Sequence, residues 1–315
     1  MEFAVSTHWN AYRHAHGEKL IDDILELGVR QVELGYDTRL DLVPGIRKRH
    51  AERAVDIVSL HAYCPVPMGA PRGHPELFTL ASLDRHEREQ ALAYLRRTIE
   101  FAAELGAKVV VNHAGNVKMT HYSRDLMDLA YRGEQFTERY ERLKFKLIEK
   151  RERPARKQMA YLLEGLHALL PDLEAAGITL GLEILPTWEA MPSEIEFEEI
   201  FRAIPSPRIG FWLDIGHAQI RENLGFINMT RWLERLAPRL AGMHVHDVAA
   251  PAQDHVMPPH GMVQFDRFLS LASLDLPRVI EPSPKTPARA IIEAIDLLKN
   301  CWSTTAPHDE QGNPP

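Results

Sequence analysis

Cysteine is nearly absent: the 315 residues hold two, Cys64 and Cys301. So few exclude a disulfide framework and fit a reducing compartment. No apolar run reaches roughly the 18 residues of a membrane-spanning helix. Positive charge is also short, since 37 Lys+Arg against 44 Asp+Glu leave a net charge of −7. A nucleic-acid partner normally requires the opposite balance. Met1 leads directly into Glu2-Phe3-Ala4-Val5, without the charged and apolar regions of a secretory leader. What is present is an ordinary globular composition, 45% hydrophobic and 26% charged. The expectation is a cytoplasmic enzyme with a small-molecule substrate, no nucleic acid and no membrane partner.

Short apolar segments alternate with helical patterns along the chain. Strands are expected at Phe3–Ser6, Gln31–Leu34, Ile57–His61, Lys108–His113, Thr179–Ile184, Ile209–Asp214, Gly242–His246 and Arg278–Glu281. Runs such as Val109-Val110-Val111 do not alternate with polar residues, as expected for parallel strands buried on both faces. Between them, Lys19–Leu27 and Asp84–Leu105 read as helices closed by Gly28 and Gly106, and Ser193 with Glu196 has capping-box spacing. Ala288–Lys299 supplies the last helix. Eight such units give the arithmetic of a (β/α)₈ TIM barrel. A doubly wound sheet would instead open on a glycine-rich G-x-G-x-x-G turn, and none follows Phe3–Ser6.

Residues 1–302 are therefore read as one catalytic barrel domain, with 303–315 a disordered polar tail. Residues 114–158 exceed the repeat and are highly charged, as in Glu149-Lys150-Arg151-Glu152-Arg153. They read as an inserted helical segment after strand 4, over the mouth or as a solvated extension. Pro65–Pro75 reads as a loop.

Chemistry in such barrels sits at the C-terminal ends of the strands. Six consecutive strands here finish on a His, Asp or Glu: His61, His113, Glu183, Asp214 with His217 close behind, His244-Val245-His246-Asp247, and Glu281. Converging carboxylates repel one another unless a cation neutralises them. A divalent ion held by Glu183, Asp214, His244 and Glu281 is the economical explanation. Three carboxylates and one imidazole form a hard donor set, suiting Mn²⁺ first, with Mg²⁺, Co²⁺ or Zn²⁺ as the other candidates. His61 and His246 read as substrate contacts, supports behind the ligands, or core histidines. His113 reads as a ligand for an additional ion, a substrate contact, or neither. Glu33 reads as a structural acid ahead of a rim contact, and His255 and His260 as exposed loop residues. Trp9 and Trp188 either shield substrate or pack.

Taken together, these segments resemble the xylose isomerase-like barrel superfamily, which holds sugar and sugar-phosphate isomerases, epimerases and endonuclease IV. The matching residues are Leu182-Glu183, Asp214-Ile215-Gly216-His217, His244-Val245-His246-Asp247 and Ile280-Glu281-Pro282, in order on successive strands. Leu80-Ala81-Ser82, Ala103–Ala107 and Asn112–Gly115 match the third and fourth units. The resemblance implies that Glu183, Asp214, His244 and Glu281 are metal ligands and that His217 contacts substrate. It departs at Val248-Ala249-Ala250-Pro251, where the ketohexose epimerases place a substrate-binding Arg, and it lacks the D-R-H and G-E-G elements of endonuclease IV.

The chemistry expected is proton abstraction beside a carbonyl through a metal-stabilised enediolate. Glu183 and Glu281 serve as the acid/base pair, giving sugar isomerisation or epimerisation. Metal-dependent dehydratase or lyase chemistry on a keto-sugar, keto-glycoside or keto-inositol is the alternative, and a non-catalytic, metal-dependent sugar-binding barrel the second. A homo-oligomer is compatible with the sequence.

Overall fold

The computed structural model describes residues 1–303. Eight parallel strands close into a barrel in chain order: β1 Ala4–Ser6, β2 Gln31–Leu34, β3 Asp56–His61, β4 Val109–Asn112, β5 Thr179–Glu183, β6 Ile209–Asp214, β7 Leu240–Val245 and β8 Arg278–Ile280. Each expected strand is present, with ends shifted by up to two residues. Ser303 ends the last helix (Ala288–Ser303) rather than beginning a tail; the rest of the expected tail lies outside the described residues. Among the described residues, no disulfide joins the two cysteines. Among the described residues, no helix is long and apolar enough to cross a membrane.

Inside the barrel, Trp212 of β6 is fully buried and packs with Ala4, Val109, Val111, Ala241 and Val279. Room for the indole comes from Gly242, where a Cβ would lie 2.3 Å from the Trp212 ring. This plug forms the floor of the site above it, and the Trp212 ring meets His244 edge-on at 5.0 Å. Because side chains alternate along a strand, Trp212 and Asp214 share a face, as do Gly242 and His244. Register brings Glu183 beside Trp212 and Asp214 beside His244.

The segment after β4 departs from the expected insertion over 114–158. It contains α1 (Tyr122–Tyr131) and then α2, a single helix of 39 residues from Glu138 to Ala176. Thr137 caps the start of α2 through its side chain, and Gly177, at φ 69°, ends it. The charged stretch and the crossover helix leading to β5 are thus one continuous element. The Tyr140 hydroxyl donates to the Leu224 carbonyl at 2.9 Å, and Gln135 donates to that of Asn223. These bonds tie the extension to α3 (Ile215–Asn223), which leaves the rim directly after Asp214. Deeper in, Arg151 grips Glu196 with two bonds of 2.7 Å, and both side chains are buried.

Candidate metal centre

Glu183 ends β5, Asp214 ends β6, and His244 lies near the end of β7; Glu281 follows β8 by one residue. These side chains come from four adjacent strands, and one ligand atom of each lies within 4.8 Å of all the others. Oxygen and nitrogen ligands about 2.0–2.2 Å from a metal stand up to roughly 4.4 Å apart, so a slight contraction closes the cage. All four residues are buried. Three carboxylates in so small a space are stable only with positive charge among them.

His244 is aimed from behind. Its Nε2 lies 3.1 Å from Glu33 Oε1, and the Ser59 hydroxyl donates to the other Glu33 oxygen at 2.8 Å. With Nε2 donating to Glu33, the lone pair of Nδ1 faces Glu183 at 3.3 Å, Glu281 at 3.3 Å and Asp214 at 3.8 Å. A carboxylate behind a ligating imidazole fixes its tautomer and raises its basicity. Glu33 is fully buried. Sequence reading left it a structural acid, because nothing local links it to a residue 211 positions away.

Asp214 has three tasks. Its Oδ1 accepts the His217 backbone N–H at 2.7 Å, capping α3. His246 Nε2 donates to the other oxygen, Oδ2, at 3.2 Å, and lies 3.0 Å from Oδ1. The third task is to reach the cluster with Oδ2, 3.8 Å from His244 Nδ1. His246 is fully buried, and its Nδ1 accepts the His255 backbone N–H at 3.0 Å, so its Nε2 carries the hydrogen donated to Asp214. Both of its nitrogens are thereby engaged, which makes it a support behind Asp214. Gly216 allows this: a Cβ there would lie 2.0 Å from the His246 ring.

The remaining histidines surround the cluster. His61 Nε2 and His113 Nε2 each lie 3.0 Å from Glu183 Oε2, and these three residues form a second group with metal-ligand geometry. His217 Nδ1 lies 3.0 Å from the Ile184 carbonyl, leaving Nε2 turned toward Asp254 at 3.8 Å. His217, His246 and His255 make a third group.

His255 corrects the expectation of an exposed loop residue. The antiparallel pair Asp247–Ala249 and Gln253–Val256 folds it back over the site, where it stacks on His246 at 4.4 Å and reaches Glu281 at 3.5 Å. Asp247, which accepts the backbone N–H groups of Val248, Gly261 and Val263, holds this hairpin and the following loop together. His260 is exposed, as expected. Trp9 is packed into the wall, its indole donating to the Thr286 carbonyl, while Trp188 stacks on Phe226 at 4.7 Å.

Histidine protonation is the other source of positive charge for these acids. Burial disfavours charge on His244, yet Glu281, Glu33 and Glu183 hold its pKa well above the ordinary histidine value. Burial likewise opposes a charged His217, but Asp214 and Glu183 raise it to about 9. Burial would raise Glu183 and Glu281; His113 and His244 in the first case, and His244 and His255 in the second, keep both well below the carboxylate range. For His217 the folded value exceeds the unfolded one, so its stabilisation is complete below about pH 6.5 and lost as pH rises through about 9. A metal ion needs that proton gone from its surroundings and competes directly for the one on His244. Chelator-treated protein should therefore melt at progressively lower temperature across this window. The rise in melting temperature caused by added Mn²⁺ should grow across it, and thermal scans with and without metal check both trends.

Residues 21–301 match the family described as xylose isomerase-like TIM barrel. An uncharacterized protein of Methanocaldococcus jannaschii is 23% identical over 277 residues, covering 87% of this chain and 88% of that one. Among solved structures, a D-tagatose 3-epimerase-like protein superposes with a TM-score of 0.69 and 20% identity, over 96% of this chain and 97% of the other. The IOLI protein, solved with a bound zinc atom, does so at 0.65 and 14%, over 96% and 100%. At these identities the solved structures show a shared fold.

Proposed function

The chain belongs to the xylose isomerase-like TIM-barrel family, and from that premise we propose that it is a divalent-metal-dependent sugar isomerase or epimerase. The observation that carries this is the buried quartet of Glu183, Asp214, His244 and Glu281 at the C-terminal rim, with its ligand atoms within 4.8 Å of one another. That donor set fits a divalent ion of the Mn²⁺ type. The solved relatives include a protein with bound zinc and a D-tagatose 3-epimerase-like protein, in keeping with a metal and a sugar substrate. When bound, such an ion polarises a carbonyl and the hydroxyl beside it, acidifying the hydrogen on the carbon between them.

The protein's own groups then divide the work. Glu183 and Glu281 stand at the two ends of the four-strand arc, with Asp214 and His244 between them, and so address a sugar carbon from different sides. One carboxylate takes the proton and the other returns it. Glu183 Oε2 is already engaged by His61 and His113 at 3.0 Å, whereas the contacts of the Glu281 carboxylate with His244 and His255 are longer, at 3.3 and 3.5 Å. Glu281 is accordingly the freer acceptor, and Glu183 the member whose proton His61 and His113 can replenish. His217, with Nε2 turned away from the quartet toward Asp254, holds a substrate oxygen.

Of the two flanking groups, the His61–His113–Glu183 set contains one carboxylate and the all-histidine set none. The first ion therefore enters the quartet, where negative charge is greatest.

Incubating metal-loaded protein with a panel of ketoses and keto-glycosides in D₂O tests the reading. The expected result is deuterium at the carbon beside the carbonyl in a product of otherwise unchanged connectivity. A product lighter by one water identifies elimination instead. Full exchange after removal of all metal contradicts the proposal.

A further inference from the structure

A cavity of about 620 Å³ opens beside the metal centre, between the segments that follow β1, β2 and β3. The proposed reaction uses none of its residues. Its inner wall is Tyr36, whose ring meets His61 edge-on at 5.2 Å, and His61 in turn touches Glu183 at 3.0 Å. Next to Tyr36, His8 pairs with Asp37 at 3.1 Å, giving this end of the cavity polar groups.

The outer end is different. Tyr12, Leu40 and Met68 line it, and they are 59%, 52% and 76% exposed. A soluble protein exposes single large apolar side chains anywhere, but three gathered at the lip of one cavity mark a binding surface. The volume falls within the range of about 300–1,000 Å³ typical of small-molecule sites. The charges present do not build an anion site. Arg39 is consumed by the Ala11 and His14 carbonyls and by Asp41, which leaves Arg72 as the one arginine on the lining without such partners among the described residues.

We propose that this cavity receives the apolar group of a glycoside whose keto-sugar ring sits at the ion, so that the substrate is a conjugated sugar rather than a free ketose. The inference rests on the metal-centre reading for the position of the ring. A substituent on that ring, passing His61, would meet Tyr36 and then the apolar lip. Leu40, Met68 and Tyr12 then determine specificity, and burying a flat ring against them supplies affinity through apolar area removed from water.

Calorimetric titration of the metal-loaded protein with phenyl and methyl 3-keto-β-D-glucosides tests it. Both carry a carbonyl beside a CH(OH) group, and they differ only in the apolar substituent. The phenyl compound should bind about tenfold tighter, the scale expected for partial burial of an aromatic ring. In the Leu40→Asp/Met68→Asp double variant that preference should vanish while metal content and affinity for the methyl compound stay unchanged. Equal affinities in the wild type, no binding of either compound, or a preference that survives in the double variant would overturn the proposal. Wild-type protein that holds no ion yet prefers the phenyl compound tenfold would uphold the cavity and sink the metal-centre reading, so the two failures are distinguishable.

Discussion

Asp214→Ala protein should emerge from purification with almost no divalent metal, where the wild type holds about one ion per chain. The quartet loses one of its three carboxylates, and His246 loses the oxygen to which it donates. Changing even a group behind a metal ligand costs roughly 10- to 100-fold in affinity, so deleting a ligand should cost more than about 100-fold. Alanine also removes the cap of α3, worth about 1 kcal/mol. Asp214→Asn separates the two effects, since its side-chain oxygen can still cap the helix but carries no charge. The expected pattern is metal loss in both variants, with the larger destabilisation of the metal-free protein in the alanine variant, which loses the cap as well as the charge. Elemental analysis and thermal scans of chelated samples read the two quantities independently. Wild-type metal content in Asp214→Ala would remove Asp214 from the ligand set.

Glu281→Gln should reduce deuterium incorporation into substrate by about 100- to 10,000-fold, the range a positioned acid or base contributes. Glutamine keeps the shape and can still offer an oxygen toward the cluster, but it cannot take a proton at neutral pH. Glu183→Gln should be comparably slow. It carries an added penalty, because His61 and His113 then face an amide in place of the carboxylate they bond at 3.0 Å. In each variant, exchange rate and bound metal are to be measured on the same sample. Slow exchange with metal retained assigns a proton-transfer role; slow exchange with metal lost assigns only a ligand role. Exchange at the wild-type rate in both variants would exclude the pair from the chemistry.

The quartet was legible because each proposed ligand follows an apolar strand. Leu182-Glu183, Leu213-Asp214 and Ile280-Glu281 place a charge where burial would otherwise be complete, and four such endings in chain order imply convergence. Glu33 stands one residue before the end of β2, yet its task could not be read locally, since its partner His244 stands on the other side of the barrel seam. His255 was misread for a related reason. Its proline-rich surroundings suggest a solvated loop, while its position depends on Asp247 gathering three backbone amides from the chain around it. His246 was recognised as part of the site without a defined role. Its support of Asp214 required the backbone N–H of His255 to fix its tautomer. The element boundaries after β4 were hidden because charge patterning marks a solvated helix face but not where a helix ends. Only Thr137 and Gly177 show that α2 is continuous.

An anomalous difference map from crystals grown with Mn²⁺, collected above and below the manganese edge, puts the ion itself to the test. The account predicts a strong peak bonded at roughly 2.0–2.4 Å to carboxylate oxygens of Glu183, Asp214 and Glu281 and to Nδ1 of His244. A map with no peak among those four side chains, or with manganese bound only elsewhere on the barrel, would contradict it.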